Sequence, residues 1–311
     1  MPSDPAGLLS LYRLAPLKPE AGWGTRAYTP APSEPDAAAR RAAFDALTGP
    51  LAVPWWGDSL IYLWPTEQLS AAIAQTGAFE LSTAVALHAL LKPGHGFVDV
   101  GANSGVYTVA ARRWVGEAGR VVAVEPSPRE FNKLTANLDL NGMSDVAAVQ
   151  AALGAAPGRG ALLVAPDAYA GMNTLAPRFG NFDGPVQAVT EVEVRTLDEI
   201  CGSMARVDVI KADVEGAEAD LLRGGMGTLR RHRPALILEA APTVALAYGS
   251  SIEELASVLQ TAGYRCFGID EASAALVPLS DLAGCNGDNI VALPIEGRVR
   301  PDAAQLSVTG L

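Results

Sequence analysis

A chain of 311 residues, 49% hydrophobic and 18% charged, can bury a full core and reads as globular, not disordered. Its net charge of −11 argues against a nucleic-acid partner, because phosphate contacts need clustered Lys and Arg. No uninterrupted apolar stretch reaches the ~20 residues that span a bilayer. The start Met1-Pro2-Ser3-Asp4-Pro5 also lacks the basic and apolar blocks of a signal peptide. A cytoplasmic protein without a membrane partner is the expectation.

Residues 1–54 are rich in Pro, Ala and Gly and read as an N-terminal extension, with one short helix expected over 36–47. Trp55, Trp56 and Trp64 follow; such a cluster can line a pocket or an interface, and local packing is the expected role here. Residues 55–96 form a helical lead-in, an acceptor or interface region. Leu81, Val85, Leu87, Leu90 and Leu91 recur at near-helical spacing until Lys92-Pro93-Gly94 ends the run.

From 97 to 295 strand and helix signals alternate, and 296–311 is a tail. Strands are expected at 97–100, 120–124 and 146–153, with a helix at 106–115 between the first two. Ser127, Pro128 and Glu130 form a capping box for a helix that Asn141-Gly142 stops. Further strands are expected at 161–165, 187–194, 207–212, 235–238, 264–269 and 289–293. Helices start near Ala217 and at Ser251, where Ser251 and Glu254 suggest a second capping box. Arg230-Arg231-His232-Arg233 reads as a solvated helix end. Cys201, Cys266 and Cys285 are too few and too widely spaced for a disulfide framework or a zinc site. Alternating βαβ units with continuous apolar strands make this an α/β chain with a doubly wound, mostly parallel sheet.

In such a sheet ligands sit beyond the carboxyl ends of the strands. The first strand there ends in Asp99-Val100-Gly101-Ala102-Asn103-Ser104-Gly105, and the second in Glu125-Pro126. Gly101 and Gly105 let the backbone turn tightly, and the loop opens a helix whose N–H groups face the crevice. Glu125 can accept hydrogen bonds from ribose hydroxyls. A nicotinamide loop would usually read Gly-x-Gly-x-x-Gly. Here Asn103 fills the position where a diphosphate needs room, so S-adenosylmethionine, which has a ribose but no phosphate, fits better.

The chain resembles the FkbM-type methyltransferases from about Gly77 to Pro294. The resemblance rests on Gly77-Ala78-Phe79-Glu80, Lys92-Pro93-Gly94, the 99–105 loop, Glu125-Pro126-Ser127-Pro128 and Thr196-Leu197-Asp198. It rests further on Ile210-Lys211-Ala212-Asp213-Val214-Glu215-Gly216-Ala217-Glu218 and on Arg233-Pro234-Ala235-Leu236-Ile237-Leu238-Glu239. It implies a class I (Rossmann-like) methyltransferase fold of seven strands with the last antiparallel, S-adenosylmethionine as cofactor, and methyl transfer usually to oxygen. Acceptors in the family include hydroxyls of polyketides and sugars. The same resemblance raises Glu80 as a residue for the cofactor's amino-acid end; a plain helix start is the other reading.

The expected cofactor site is thus Glu80, Asp99, Gly101, Ala102, Asn103, Gly105, Glu125, Pro126 and Asp213. Catalysis is assigned to Lys211, Asp213, Glu215 and Glu239, which gather at the carboxyl ends of two strands. Their carboxylates suit a general base or Mg²⁺. Lys211 is one of four lysines among 23 basic residues. It is either a base with a lowered pKa or half of an ion pair with Asp213 or Glu239. His88, His95 and His232 lie outside these motifs. A small-molecule acceptor is the expected partner, and the N-terminal segment either shapes its pocket or makes a homodimer contact. The alternatives are a nicotinamide-dependent oxidoreductase and a non-catalytic cofactor-binding scaffold.

Overall fold

Adjacent residues on a buried strand face opposite layers, and this chain uses that period of two to build two cores around one sheet. Phe97, Val121, Ala123, Val209 and Ile237 pack into one layer, while Val98, Val122, Val124, Ile210, Leu236 and Leu238 pack into the other. The computed structural model describes residues 34–271, 274–285 and 287–297. Most of the N-terminal extension and of the C-terminal tail lies outside the described residues.

Helix α1 (Glu34–Asp45) leads into a hairpin of β1 (Leu51–Trp55) and β2 (Ser59–Leu63), then α2 (Gln68–Thr76) and α3 (Leu81–Leu90). The core begins with β3 (Gly96–Val100), α4 (Val106–Trp114), β4 (Arg120–Val124), α5 (Pro128–Leu140) and β5 (Ala147–Val149). Next come β6 (Ala152–Leu153), β7 (Gly158–Val164), a 3₁₀ turn (Asp167–Met172) and β8 (Ala188–Arg195). The second half holds α6 (Leu197–Cys201), β9 (Val209–Ala212), α7 (Glu218–Arg223), α8 (Met226–His232) and β10 (Ala235–Ala240). It closes with α9 (Pro242–Tyr248), α10 (Ile252–Thr261), β11 (Tyr264–Ile269), β12 (Leu276–Pro278) and β13 (Asp288–Pro294).

The main sheet has the order β12-β11-β13-β10-β9-β3-β4-β5. Strands β5, β4, β3, β9 and β10 run parallel, and β13 is antiparallel to both of its neighbours. The final strand is therefore antiparallel, as expected, and among the described residues the sheet has eight strands where seven were expected. The addition is β12, antiparallel to β11 at the edge, too short at three residues to carry a periodic signal. The strand expected over 146–153 is two strands, because exposed Gln150 interrupts it. β5 joins the main sheet, whereas β6 joins β8 and β7 in a separate three-stranded sheet. The capping box at Ser127 does not form: its hydroxyl donates to the Glu130 carboxylate, and no side-chain cap reaches the helix backbone. Ser251 does cap α10, accepting from Glu254 N at 3.3 Å, but the Glu254 carboxylate turns to Ser250 and Arg223. Arg233, the last of the basic run, donates to the carbonyls of Ala262, Gly263 and Glu296 instead of being left to solvent. All three cysteines are free thiols. No helix among the described residues is long and apolar enough to cross a membrane.

The hairpin is packed, not peripheral, and β1 crosses residue 54. Trp55 and Trp56 are buried and stacked, ring centres 4.1 Å apart. Trp55 Nε1 donates to Val106 O at 2.7 Å, at the start of α4. Asn137, with 0% exposure, joins the hairpin to the glycine loop. Its Oδ1 accepts from Tyr62 N and its Nδ2 donates to Ser104 O, each at 2.8 Å. Asn137→Ala strands both backbone groups and is expected to destabilise the chain by about 2–4 kcal/mol. Urea unfolding checks this, and a loss below about 0.5 kcal/mol would show that water replaces the bridge.

Candidate active site

Three parallel strands deliver the site to one edge. Their register places Asp99 of β3 opposite Lys211 of β9, and Glu239 of β10 opposite Asn289 of β13. Each sits two residues from an apolar residue of the layer that α3 and α4 cover, namely Phe97, Val209, Ile237 and Val291. The polar row therefore continues the apolar rows toward the carboxyl edge on the same face.

At that edge a cavity of about 230 Å³ is lined by Glu80, Gly101, Ala102, Asn103, Glu125, Pro126, Lys211, Asp213, Glu215 and Glu239, all expected from sequence. Two expected residues do not line it. Asp99, with 1% exposure, lies beneath it, where its Oδ2 accepts from Thr108 Oγ1 at 2.5 Å. Gly105 starts α4 in a left-handed conformation against Leu134. The Gly101 requirement is steric as well as conformational: at φ +72° a Cβ would meet Asp213 O at 1.8 Å, so strands β3 and β9 close here only around glycine.

Glu125, with 5% exposure, is held by the loop and by its own strand end. Oε2 accepts from Asn103 N and Oε1 from Ser127 N, both at 2.8 Å. Burial nevertheless pushes its pKa up to about 8, with Glu130 and Asp99 adding to the rise. Asn103 takes a positive φ of 50°, and its side chain is turned to the chain itself, accepting from Ser104 N and donating to Ala170 O.

Lys211, with 2% exposure, is the centre of a charge cluster. Its Nζ donates to Asp213 Oδ2 at 3.2 Å and stands 4.9 Å from the centre of the Tyr107 ring. Tyr107 OH in turn donates to Glu80 Oε2 at 3.0 Å, and Asn289 Nδ2 donates to the same oxygen at 3.0 Å. Burial alone would lower the lysine pKa, but Asp213, Glu80 and Asp99 together outweigh it and hold the ammonium above its ordinary value. Of the roles the sequence leaves open for Lys211, the geometry shows an ion pair, and its partner is Asp213.

Asp213, Glu215 and Glu239 offer carboxylate oxygens that all lie within 4.8 Å of one another. Desolvation and the crowding of like charges raise the pKa of Glu215 and Glu239, the latter by Asp213, Glu215 and Glu218 besides burial. Glu239 Oε2 is buried without a hydrogen-bond partner among the described residues. Glu215 has a positive φ of 53°, and its carbonyl accepts from Thr174 Oγ1 at 2.9 Å. The sequence reading missed Tyr107, Phe79 and the roof segment with Ala170, Met172 and Asn173, all of which line the cavity. Tyr107 sits in an apolar helical run and carries no motif. The roof has no periodicity, and only its position over the carboxyl edge identifies it.

The sheet order and the glycine loop, followed by an acid on the next strand, define a Rossmann-like methyltransferase domain. The Methyltransferase FkbM domain matches residues 99–266, more than half of the 311 residues, and the chain belongs to that family. It is 31% identical over 142 residues to Methyltransferase 1 of Beauveria bassiana (strain ARSEF 2860), a match covering 41% of this chain and 57% of that protein. It is 30% identical over 156 residues to Methyltransferase sdnD of Sordaria araneosa, covering 41% and 59% respectively. The match thus spans less than two thirds of these curated relatives. The FkbM methyltransferase structure from Methylobacillus flagellatus KT aligns at 18% identity with a TM-score of 0.40, over 72% of this chain and 52% of that one.

The raised Glu125 pKa gives a signed pH effect. A carboxyl whose folded pKa lies above its ordinary 4.5 binds more protons when folded, so its contribution to stability falls as pH rises from about 4.5 to about 8. His88 and His95, both lowered from 6.5, act in the opposite direction below that pH. Between pH 6.5 and 8 the histidines no longer contribute, and the other raised carboxyls, Glu218 among them, contribute equally to wild type and variant. There the wild-type chain is expected to lose stability more steeply than Glu125→Gln in urea unfolding, and parallel slopes would place the Glu125 pKa outside the window.

Proposed function

We propose that this chain is an S-adenosylmethionine-dependent methyltransferase acting on a hydroxyl oxygen of a small molecule. The observation that carries the reading is the junction of two groups in one cavity: a buried acid after β4 on one side of the glycine loop, and a carboxylate–ammonium cluster at the end of β9 on the other. The loop itself fits that cofactor. It reads Gly-x-x-x-Gly in place of the Gly-x-Gly-x-x-Gly that usually admits a diphosphate, and Glu125 retains acceptor capacity beside its two backbone donors. The same glycine spacing counts against the nicotinamide alternative.

Glu125 binds the ribose, while Gly101, Ala102 and Asn103 present the loop to the rest of the cofactor. Glu80, fixed by Tyr107 and Asn289, faces the amino-acid end. When bound, the cofactor supplies a methyl group on a sulfonium: the oxygen–carbon bond forms as the sulfur–carbon bond breaks, and the sulfur keeps the electron pair. The chain's own residues hold the acceptor hydroxyl in line and take its proton. Asp213 is the group for that proton. It reaches the cavity, and Lys211 fixes its orientation. Glu215 and Glu239, whose carboxyl oxygens lie within 4.8 Å of that of Asp213, orient the acceptor beside it. The donor set of Asp213, Glu215 and Glu239 also suits Mg²⁺, which would polarise the acceptor oxygen if bound there.

Two variants test the division of labour. Glu125→Ala is expected to weaken adenosylhomocysteine binding by about 2–4 kcal/mol in calorimetry; unchanged affinity removes Glu125 from the site. Asp213→Asn is expected to leave that affinity near normal and to lower single-turnover methylation by about 10²–10⁴. Near-normal turnover would remove Asp213 from the chemistry. Sensitivity of the wild-type rate to EDTA, restored by Mg²⁺, selects the metal version over the general base.

A further inference from the structure

The carboxyl edge of the sheet carries a second hollow, of about 580 Å³, beyond the first. It lies where β11 ends and β13 begins, between Ser82 and Thr83 of α3 on one side and Ile269 and Leu279 on the other. The two hollows share Glu80. Asn289, on the wall of the second, donates to the Glu80 carboxylate and stands in register with Glu239 of the first. The partition between them is thus one hydrogen-bonded pair, Glu80 and Asn289, next to the carboxylate triad.

The second hollow has one sign of charge. Glu80, Glu271 and Asp281 line it, and no Lys, Arg or His does so among the described residues. The sequence extends this beyond the hollow, although β11 itself carries Arg265 just before the acidic stretch. Residues 266–297 contain Asp270, Glu271, Asp281, Asp288 and Glu296 but no basic residue. Between the carboxylates lie the hydroxyls of Ser82, Thr83 and Ser280 and the apolar surfaces of Ile269 and Leu279. Carboxylates accept hydrogen bonds from ammonium and hydroxyl groups, and apolar side chains suit the C–H face of a saturated ring. An anionic group would meet only like charge there.

We propose that the second hollow seats the body of the methyl acceptor, and that the acceptor is a hydroxylated, ring-bearing molecule with a protonated amine, not a phosphate or a carboxylate. The inference rests on the methyltransferase reading above and narrows its substrate. Glu271 and Asp281 select the amine at the rim, and Ser82 and Thr83 take ring hydroxyls. The Glu80–Asn289 partition lets one hydroxyl through to Asp213.

Three methyl glycosides with the same ring, a glucosaminide, a glucoside and a glucuronide, separate charge from shape. The experiment is saturation-transfer NMR of each against the full chain with adenosylhomocysteine bound. The glucosaminide is expected to bind most tightly, the glucuronide at least tenfold more weakly. Glu271→Lys combined with Asp281→Lys, both at exposed positions, is expected to weaken the glucosaminide at least tenfold while adenosylhomocysteine affinity stays the same. Preference for the glucuronide, binding of none of the three, or glucosaminide binding indifferent to the double variant overturns the proposal. Failure of adenosylhomocysteine itself to bind is read separately by calorimetry, and it would overturn the cofactor reading on which this one stands.

Discussion

The buried ammonium of Lys211 is the constraint around which the carboxyl edge is organised. An ion in so dry a place costs several kcal/mol unless its partners are close and fixed. Here the partners come from four separate parts of the chain: Asp99 from β3, Asp213 beyond β9, Glu80 at the start of α3 and the Tyr107 ring from α4. Meeting that demand aligns β3 with β9 and brings α3 and α4 over the same point. Glu80 accepts a left-handed backbone to take part. One lysine thus converts strand register, which is only a pattern of backbone hydrogen bonds, into a defined position for each acid.

The acids outnumber the cation. Among the described residues five carboxyl groups line the first cavity against Lys211 alone, and burial together with mutual repulsion raises the pKa of Glu80, Glu125, Glu215 and Glu239. Such a cavity disfavours its own negative charges, first because they are desolvated and then because they repel one another. A cationic ligand relieves the same imbalance without protons, and its loss of charge on reaction would weaken its hold. The electrostatics therefore favour a cationic ligand over an anionic one. They also explain why the Lys211 pKa moves upward although burial acts to lower it: the surplus of negative charge is the larger effect.

Much of this arrangement is legible in the sequence, and the reason is that it depends on strand ends. Lys211 and Asp213 are two apart, Gly101 and Gly105 bracket a turn, and Glu125 follows an apolar strand; each of these is a local pattern with a local consequence. What the sequence does not show is what comes from elsewhere in the chain. Tyr107 looks like any aromatic on a helix, and Asn289 like the first residue of a strand. Their roles arise only because α4 crosses Lys211 and β13 inserts beside β10. The direction of the lysine pKa is unreadable for the same reason, since it depends on Glu80, which is 131 residues away in the chain by the difference of the two numbers. The edge strand β12 and the break at Gln150 escape because two or three residues cannot display a period.

That break at Gln150 also builds the roof. Had the third strand run unbroken along the main sheet, the chain would have left the carboxyl edge open above Glu125. Instead β6 departs into the three-stranded sheet, and the 3₁₀ turn between β7 and β8 returns over the loop to bring Ala170 and Asn173 onto the cavity. Glu130, with 0% exposure, fastens this return. It accepts from Asn173 Nδ2 at 2.8 Å and from Arg129 Nε at 2.6 Å, and also from the Ser127 hydroxyl. Ser127 is the residue whose N–H holds Glu125. The acid that does not cap its helix therefore ties the roof to the residue that orders the Glu125 carboxylate. The Glu130 side chain, free of the expected capping box, thus joins Arg129, Asn103 and Thr174 in holding the cavity's ceiling.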